Sequence, residues 1–558
     1  MLKYRHVLAW LLITGATNST AKENCPLYGL GYPKPTNLLT NAAIKSAGSA
    51  LDSVFAQYID NANNTGSDAF SYSVEVFAAD ENTPLWTHYW TAPNLATMNT
   101  TGTRKIDGDT VYRIGSLSKI FTILTFLAEV GDSSWNDPIG KYIPEIATMG
   151  GPPGRDNSHS LTTPDWNSIT IGALASQISG DIPPCGENPV CNRPQFFQGL
   201  RKLPPSFSPF VTPAYSDIAY VLLGYALQTM TGKPFQQSFQ DILVKPLNLT
   251  RTFYSVPNDT LGVIPGDRMR TTWAFNMGNE SPTGSVYCSA SDMSAVGRAI
   301  LKSTLLPWPV TRRWLRPVTF SSDPVSSVGS PWGVRRLTLS QNSSYQFATT
   351  FNKLGSIGKY NALLAVIPDF DIGFTVTAAG EVPASLVTDI ADTLSNTYLP
   401  TLLSIARVQA NTTYAGSYKS PTANSSLTLS VDTTHPGLGV TSWTSNSVPM
   451  MNLAVALSQN ISVDYWDDIQ PSIRLYPSGL WDATANGGRR VGFKATFEDL
   501  ALPAVANPYT TDCATWVSVA GVAYGSQPLD EFIFEVDGNG TVLSVENSAL
   551  RNRLVKVG

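Results

Sequence analysis

The stretch from Val111 to Gly131, VYRIGSLSKIFTILTFLAEVG, constrains this chain more than any other. It opens as a short strand, passes through Gly115, and continues with Ile120, Ile123, Leu124, Leu127 and Ala128 at helical spacing until Gly131 stops it. That order puts Ser116 at a helix start, with Lys119 one turn later on the same face. A serine hydroxyl is a poor nucleophile unless a base lies within hydrogen-bond reach, and a lysine that loses its proton near neutral pH can be that base. Burial and the positive end of the helix dipole both push an ammonium that way, and the dipole also favours an anion forming beside the serine. One helix start thus offers a nucleophile, a base and part of an oxyanion site. The tetrapeptide Ser-x-x-Lys decides nothing alone, because the same spacing recurs at Ser19/Lys22 and Ser356/Lys359 and a serine here also reads as a plain helix cap.

A chain of 558 residues is too long for one ordinary core, so two domains are expected. Residues Met1 to Ala21 carry Lys3 and Arg5, then the apolar run Val7 to Ile13, then small residues, which is the pattern of a cleaved secretory signal over residues 1–21. Behind it stand the N-x-S/T sequons at Asn63, Asn99, Asn248, Asn258, Asn279, Asn342, Asn411, Asn424, Asn460 and Asn539, so a secreted glycoprotein is expected. With 14% charged residues and a formal charge of −5, the chain has no basic surface for nucleic acid, and no later apolar run is long enough for membrane insertion. Cys185 and Cys191 bracket a short Gly/Asn/Pro loop and are the first choice for a disulfide. Cys25 with Cys513 is a second pairing, which leaves Cys288 as a buried free thiol.

Helical periodicity marks Asn41–Ile59, Ile169–Ile178, Ala214–Met230, Ser289–Leu301 and Val387–Ile405. Alternation marks a hairpin over Phe70–Phe77 and Leu85–Trp90, and strands at Phe347–Leu354, Ala362–Ile367 and Ile372–Thr377. Strands at both ends with helices between suggest a mixed sheet covered by helices over residues 22–407. Beyond Val408 the periodicity gives way to short alternating runs such as Ser426–Val431 and Phe532–Val536, so residues 408–558 read as a separate all-β domain, barrel or sandwich.

Three motifs in this order resemble the serine β-lactamase and penicillin-binding-protein superfamily, in its class C and esterase-like branch. They are Ile114-Gly-Ser-Leu-Ser-Lys119, Tyr215-Ser216-Asp217 in place of the family's Tyr-x-Asn, and Lys353-Leu354-Gly355-Ser356 in place of Lys-Thr-Gly followed by a strand. The resemblance spans roughly residues 40 to 400 and implies an α+β fold, an antiparallel sheet flanked by helices. It implies that Ser116 becomes acylated and that Lys119 and Tyr215 share the proton transfers, with either as base. It also implies that Lys353 holds Tyr215, that the backbone N–H groups of Ser116 and Ser356 form the oxyanion hole, and that no cofactor or metal takes part. The residues agree at one point independently: the mature chain offers only His88, His159 and His435, with no G-x-S-x-G and no Cys/His cluster, so a Ser-His-Asp triad or a zinc site is poorly supplied.

Two positions depart from the pattern. Asp217 stands where an amide would donate to an acylamino carbonyl, and an ionised carboxylate only accepts, unless it is protonated or paired to Lys119. Leu354 replaces a hydroxyl that would help bind a β-lactam carboxylate. A secreted serine hydrolase of esters, lactones or small amides is therefore expected, with a small-molecule acyl substrate as its partner. The alternatives are an acyltransferase working on a natural product and a catalytically weak binding protein.

Overall fold

The computed structural model describes residues 22–98, 101–149, 161–177, 192–339, 345–505 and 509–557. Two compact units share the chain. Among the described residues, one holds 34–339 and 347–405, and the other holds those from 406 onward together with 22–33 and 345–346.

In the first unit, the predicted hairpin forms as Phe70–Ala78 and Trp86–Trp90, with Val74 opposite His88. The Phe70–Ala78 strand is buried throughout and pairs on its other edge with Ile372–Gly380, which continues through Tyr360–Ile367 and Phe347–Ile357 to Gly333–Thr338. Two short strands, Ser326–Val328 and Thr319–Phe320, complete an eight-stranded sheet. Every pairing in it is antiparallel, which corrects the mixed sheet inferred from the order of elements. Helix Ala290–Lys302, capped by the Ser289 hydroxyl, packs on Phe70–Ala78 and Ile372–Gly380. The contact is close because Phe77 inserts its ring where a Cβ on Gly297 or Gly373 would lie 2.2 or 2.4 Å from the ring tip.

The Ser118–Val130 helix is central in fact as well as in sequence: Ser118 through Leu127 are all buried, so it is an interior helix and not an amphipathic one. Its polar side chains are satisfied locally. Thr122 Oγ1 donates to Pro282 O at 2.7 Å, Thr125 Oγ1 to Phe121 O at 2.8 Å, and Ser118 Oγ accepts from Val286 N at 3.1 Å. Gly131 takes φ of 71° and ends it. The strand before it, Val111–Arg113, joins Tyr287–Ser289 and Thr252–Phe253 in a small second sheet, with Cys288 a buried free thiol. Helix Ile218–Thr231 is likewise apolar and ends at Gly232, φ 70°. Of the Ile169–Ile178 prediction, Ile171–Ala175 is helical and the end lies outside the described residues.

The closing helix is longer than its periodicity suggested, Leu386–Tyr414, and the chain passes from one unit to the other inside it. In the second unit, strands run in the order Ser426–Ser430, Gly416–Lys419, Asn552–Val557, Val542–Asn547, Glu531–Val536, Arg489–Asp499, Pro471–Ala483 and Leu438–Ser445, and the last pairs back onto the first. That closure makes a barrel, not a sandwich. Its interior is filled by side chains: Phe532, Phe534 and Val536 alternate inward, and Phe534 meets Tyr414 and Phe493 edge to face at 5.1 and 5.0 Å. Helix Met451–Gln459, which alternation did not reveal, packs on two of the strands.

The segment from residue 22 to Pro33 belongs to this barrel unit. Cys25 is bonded to Cys513, Asn24 Nδ2 donates to Glu498 Oε2 at 2.7 Å, and Cys25 N donates to Glu498 Oε1 at 3.2 Å. The preferred pair Cys185/Cys191 lies outside the described residues.

Candidate active site

Ser116 sits in a 3-10 turn, Gly115–Leu117, that precedes the central helix, one step earlier than the helix start expected from spacing. The turn is forced by backbone packing. Gly115 has φ of 50°, and a Cβ there would lie 2.7 Å from the Ser356 carbonyl; a Cβ on Gly355 would lie 1.9 Å from Ile114 O. The two glycines let the Phe347–Ile357 strand lie directly on the serine turn, which brings the Ser356 amide to Ser116. Strand Gly333–Thr338 pairs only as far as Asn352, so this end of the edge faces the turn and not another strand of the sheet. Between Val111 and Leu127, Ser116 is the one residue that is not buried.

Lys119 is fully buried and uses all three ammonium protons: toward Ser116 Oγ at 3.1 Å, toward Thr283 O at 3.0 Å, and toward the Asp217 carboxylate. The rings of Tyr215 and Tyr220 stand 4.9 and 5.3 Å from its nitrogen. Asp217 opens helix Ile218–Thr231 but does not cap it; the Ser216 hydroxyl accepts from Ala219 N at 3.1 Å instead, which leaves the carboxylate free for Lys119. Tyr215 is exposed, and its ring centroid also lies 5.3 Å from Lys353 Nζ. The lysines therefore meet the ring face, and no hydrogen bond to the phenol oxygen is present among the described residues. Lys353 is buried, and its pKa is pushed down to about 7, first by burial and then by the Lys119 charge, with Asp217 opposing.

The sequence model of the family described as "Beta-lactamase" matches residues 71–396, and that described as "Beta-lactamase-like-like, C-terminal domain" matches residues 406–558. The chain belongs to the β-lactamase family of hydrolases. It is similar along its length to a "Beta-lactamase-like protein" of Arthroderma benhamiae, 27% identical over 98% of each chain. It is also similar to "Probable hydrolase clz13" of Cochliobolus lunatus, 24% identical over 91% of this chain and 89% of that one. Among solved structures, a D-stereospecific amidohydrolase from Streptomyces aligns at 19% identity with a TM-score of 0.44, covering 64% of this chain and 98% of that one.

Within this β-lactamase-family site, the seven residues singled out by motif, Ser116, Lys119, Tyr215, Asp217, Lys353, Gly355 and Ser356, converge through the contacts above. Sequence reasoning missed four participants. Thr283 and Pro282 act through main-chain carbonyls, which carry no sequence signature. Tyr220 reads as a core residue of an apolar helix, yet lies over Lys119. Gln177, buried with φ of 64°, accepts from Ala214 N through its carbonyl and from Ser216 N through Oε1, both at 2.6 Å, and so clamps the backbone on either side of Tyr215. A lone glutamine gave no cue.

Among the described residues no His/Cys/Asp/Glu group is placed to hold a metal ion, and no helix is long and apolar enough to cross a membrane. Seven of the sequon asparagines, Asn63, Asn248, Asn258, Asn411, Asn424, Asn460 and Asn539, are exposed and Asn279 is half-buried. Asn99 and Asn342 lie outside the described residues.

Proposed function

We propose that the protein is a secreted serine hydrolase that forms an acyl-enzyme on Ser116 with an ester, lactone or amide and releases the acid to water. The observation that carries this reading is the 3.1 Å hydrogen bond from buried Lys119 to the one hydroxyl in its stretch that reaches the surface. The Ser116 oxygen bonds to the substrate carbonyl carbon and gives up its proton; the carbonyl oxygen becomes an anion held by the Ser116 and Ser356 amides. Collapse breaks the bond to the leaving group, which departs with that proton, and water repeats the sequence to free the acid. With its three donor positions engaged, Lys119 serves as the hydrogen-bond donor beside Ser116, and proton acceptance falls to Tyr215, whose ring lies 5.3 Å from Lys353 Nζ.

The test is the intact mass of deglycosylated protein with and without a short p-nitrophenyl ester, beside Ser116→Ala. A serine-dependent adduct with released nitrophenol is expected; neither adduct nor release would sink the hydrolase reading. That result would favour a weak binding protein, the reading that the pairing of Lys119 with Asp217 supports. An added alcohol that captures the acyl group faster than water would instead indicate an acyltransferase. Secretion predicts a mature N-terminus near residue 22 and a mass drop on enzymatic deglycosylation.

A further inference from the structure

Resting on the acyl-serine reading above, we propose that Asp217 is a specificity residue that selects acyl groups bearing a hydroxyl on the second or third carbon. One Asp217 oxygen and Ser116 Oγ share the same Lys119 nitrogen, so the carboxylate lies within roughly 6 Å of the nucleophile, two hydrogen-bond lengths. A hydroxyl two or three carbons along an acyl chain attached at Ser116 falls within that span. The side chain is 46% exposed, and its second oxygen makes no hydrogen bond among the described residues. Nor is the carboxylate needed to start its helix, because Ser216 performs the cap. Beyond the oxygen that pairs with Lys119, a second acceptor is therefore held open at the site.

What it accepts follows from charge. An acylamino carbonyl presents lone pairs to lone pairs and is repelled. An ammonium donor would enter where Lys119 already pairs with the carboxylate and Lys353 stands over the adjacent Tyr215 ring. Burial first, and then the Lys119 charge, already push the Lys353 pKa down to about 7. A neutral O–H suffers neither penalty. Leu354, 42% exposed beside Lys353, puts apolar surface where a hydroxyl would read an anionic group, which fits an uncharged acyl chain.

The experiment compares p-nitrophenyl esters of 2-hydroxybutyrate and 3-hydroxybutyrate with their O-methyl ethers, with 3-aminobutyrate and with butyrate, each normalised to its rate of hydrolysis by hydroxide. For at least one hydroxyl position, kcat/KM should exceed that of the ether by about tenfold, as for a hydrogen bond to a charged group. In Asp217→Asn, whose amide both donates and accepts, that ratio should fall to within about threefold of one, whatever the absolute rate. Turnover of butyrate with both wild-type ratios near one, a preference for 3-aminobutyrate, or a ratio unmoved in Asp217→Asn would overturn the assignment and leave the hydrolase reading standing. No release from any ester and no Ser116 adduct would bring down both. If Asp217→Asn does not fold, the wild-type ratios still decide.

Discussion

Each unit of the molecule buries long cations, and two of them, Arg474 and Lys353, are treated in opposite ways. In the barrel unit, Arg474 is 6% exposed and every donor group is used: Nη1 to Asp432 at 2.9 Å, Nε to Pro436 O at 2.9 Å, and Nη2 to the carbonyls of His435 and Gly437 at 2.9 and 3.0 Å. Burial raises the Asp432 pKa, but the guanidinium and the His435 amide outweigh it and hold the carboxyl down at about 2. In the other unit, Lys353 is 8% exposed and donates only to the neighbouring Leu354 carbonyl, with a second lysine nearby. A fully satisfied buried charge fixes a fold; one left poorly satisfied has a displaced pKa and is available for chemistry.

The largest effect is expected at Lys119, which is satisfied like Arg474 but lies beside Ser116 with a half-exposed partner. Its loss in Lys119→Met should lower kcat on a p-nitrophenyl ester by about 10⁴-fold or more, the scale seen when one member of a nucleophile–base unit is removed. The melting temperature should move little, because half-exposed Asp217 can be rehydrated. A variant retaining a tenth of the activity would remove Lys119 from the machinery.

Arg474→Met should do the reverse. It strands three carbonyls and leaves partly exposed Asp432 to be rehydrated, for a loss of about 1–3 kcal/mol in denaturant unfolding, while Ser116 is still acylated in the folded fraction. A loss below about 1 kcal/mol would mean that the guanidinium is not what holds that end of the barrel.

Gly355→Ala probes the backbone contact beneath the site. Its Cβ would meet Ile114 O at 1.9 Å, so the strand must retreat from the serine turn. Overpacking should cost about 1–3 kcal/mol of stability, and displacing the Ser356 amide should lower kcat about 10²-fold with KM less affected. Wild-type kcat in this variant would show that the Ser356 amide is not an oxyanion donor.

What was legible in the sequence divides along physical lines. Ser116 and Lys119 were legible because side-chain chemistry at fixed spacing leaves a trace in the residues, whereas Tyr215, Asp217, Lys353 and Ser356 were legible only through the resemblance of their motifs to a known family. The Lys119 contact to Thr283 O left none, since any residue supplies a carbonyl. Strand existence was readable from alternation, but barrel closure was not: Leu429 facing Val440 is a pairing that the turn signals permit without specifying the strand order around it. Asn24 meeting Glu498 lies beyond any local pattern for the same reason, and only the Cys25/Cys513 pairing hinted that the N-terminus belongs with the barrel. Helix Met451–Gln459 was missed because its apolar run is short and its neighbours alternate.

The smallest effect tests the contrast through pH. Because the folded-state pKa of Lys353 is lowered to about 7 from the ordinary lysine range, the folded protein binds fewer protons than the unfolded chain between about 7 and that range. Stability contributed by this group therefore rises with pH across that window, and below about 7, where both states are protonated, the cost of burying the ammonium is present in full. Lys353→Met removes the cost. Its melting temperature should exceed that of the wild type by several degrees at pH 6, and the gap should narrow toward pH 9 as the wild-type amine sheds its proton. Arg474→Met, tested the same way, should be destabilised at both pH values, because a guanidinium stays charged throughout and its Asp432 partner titrates far below them. A Lys353→Met gap that stays constant with pH would mean that Lys353 remains an ordinary ammonium, satisfied in some other way, and the distinction between the two buried cations would dissolve.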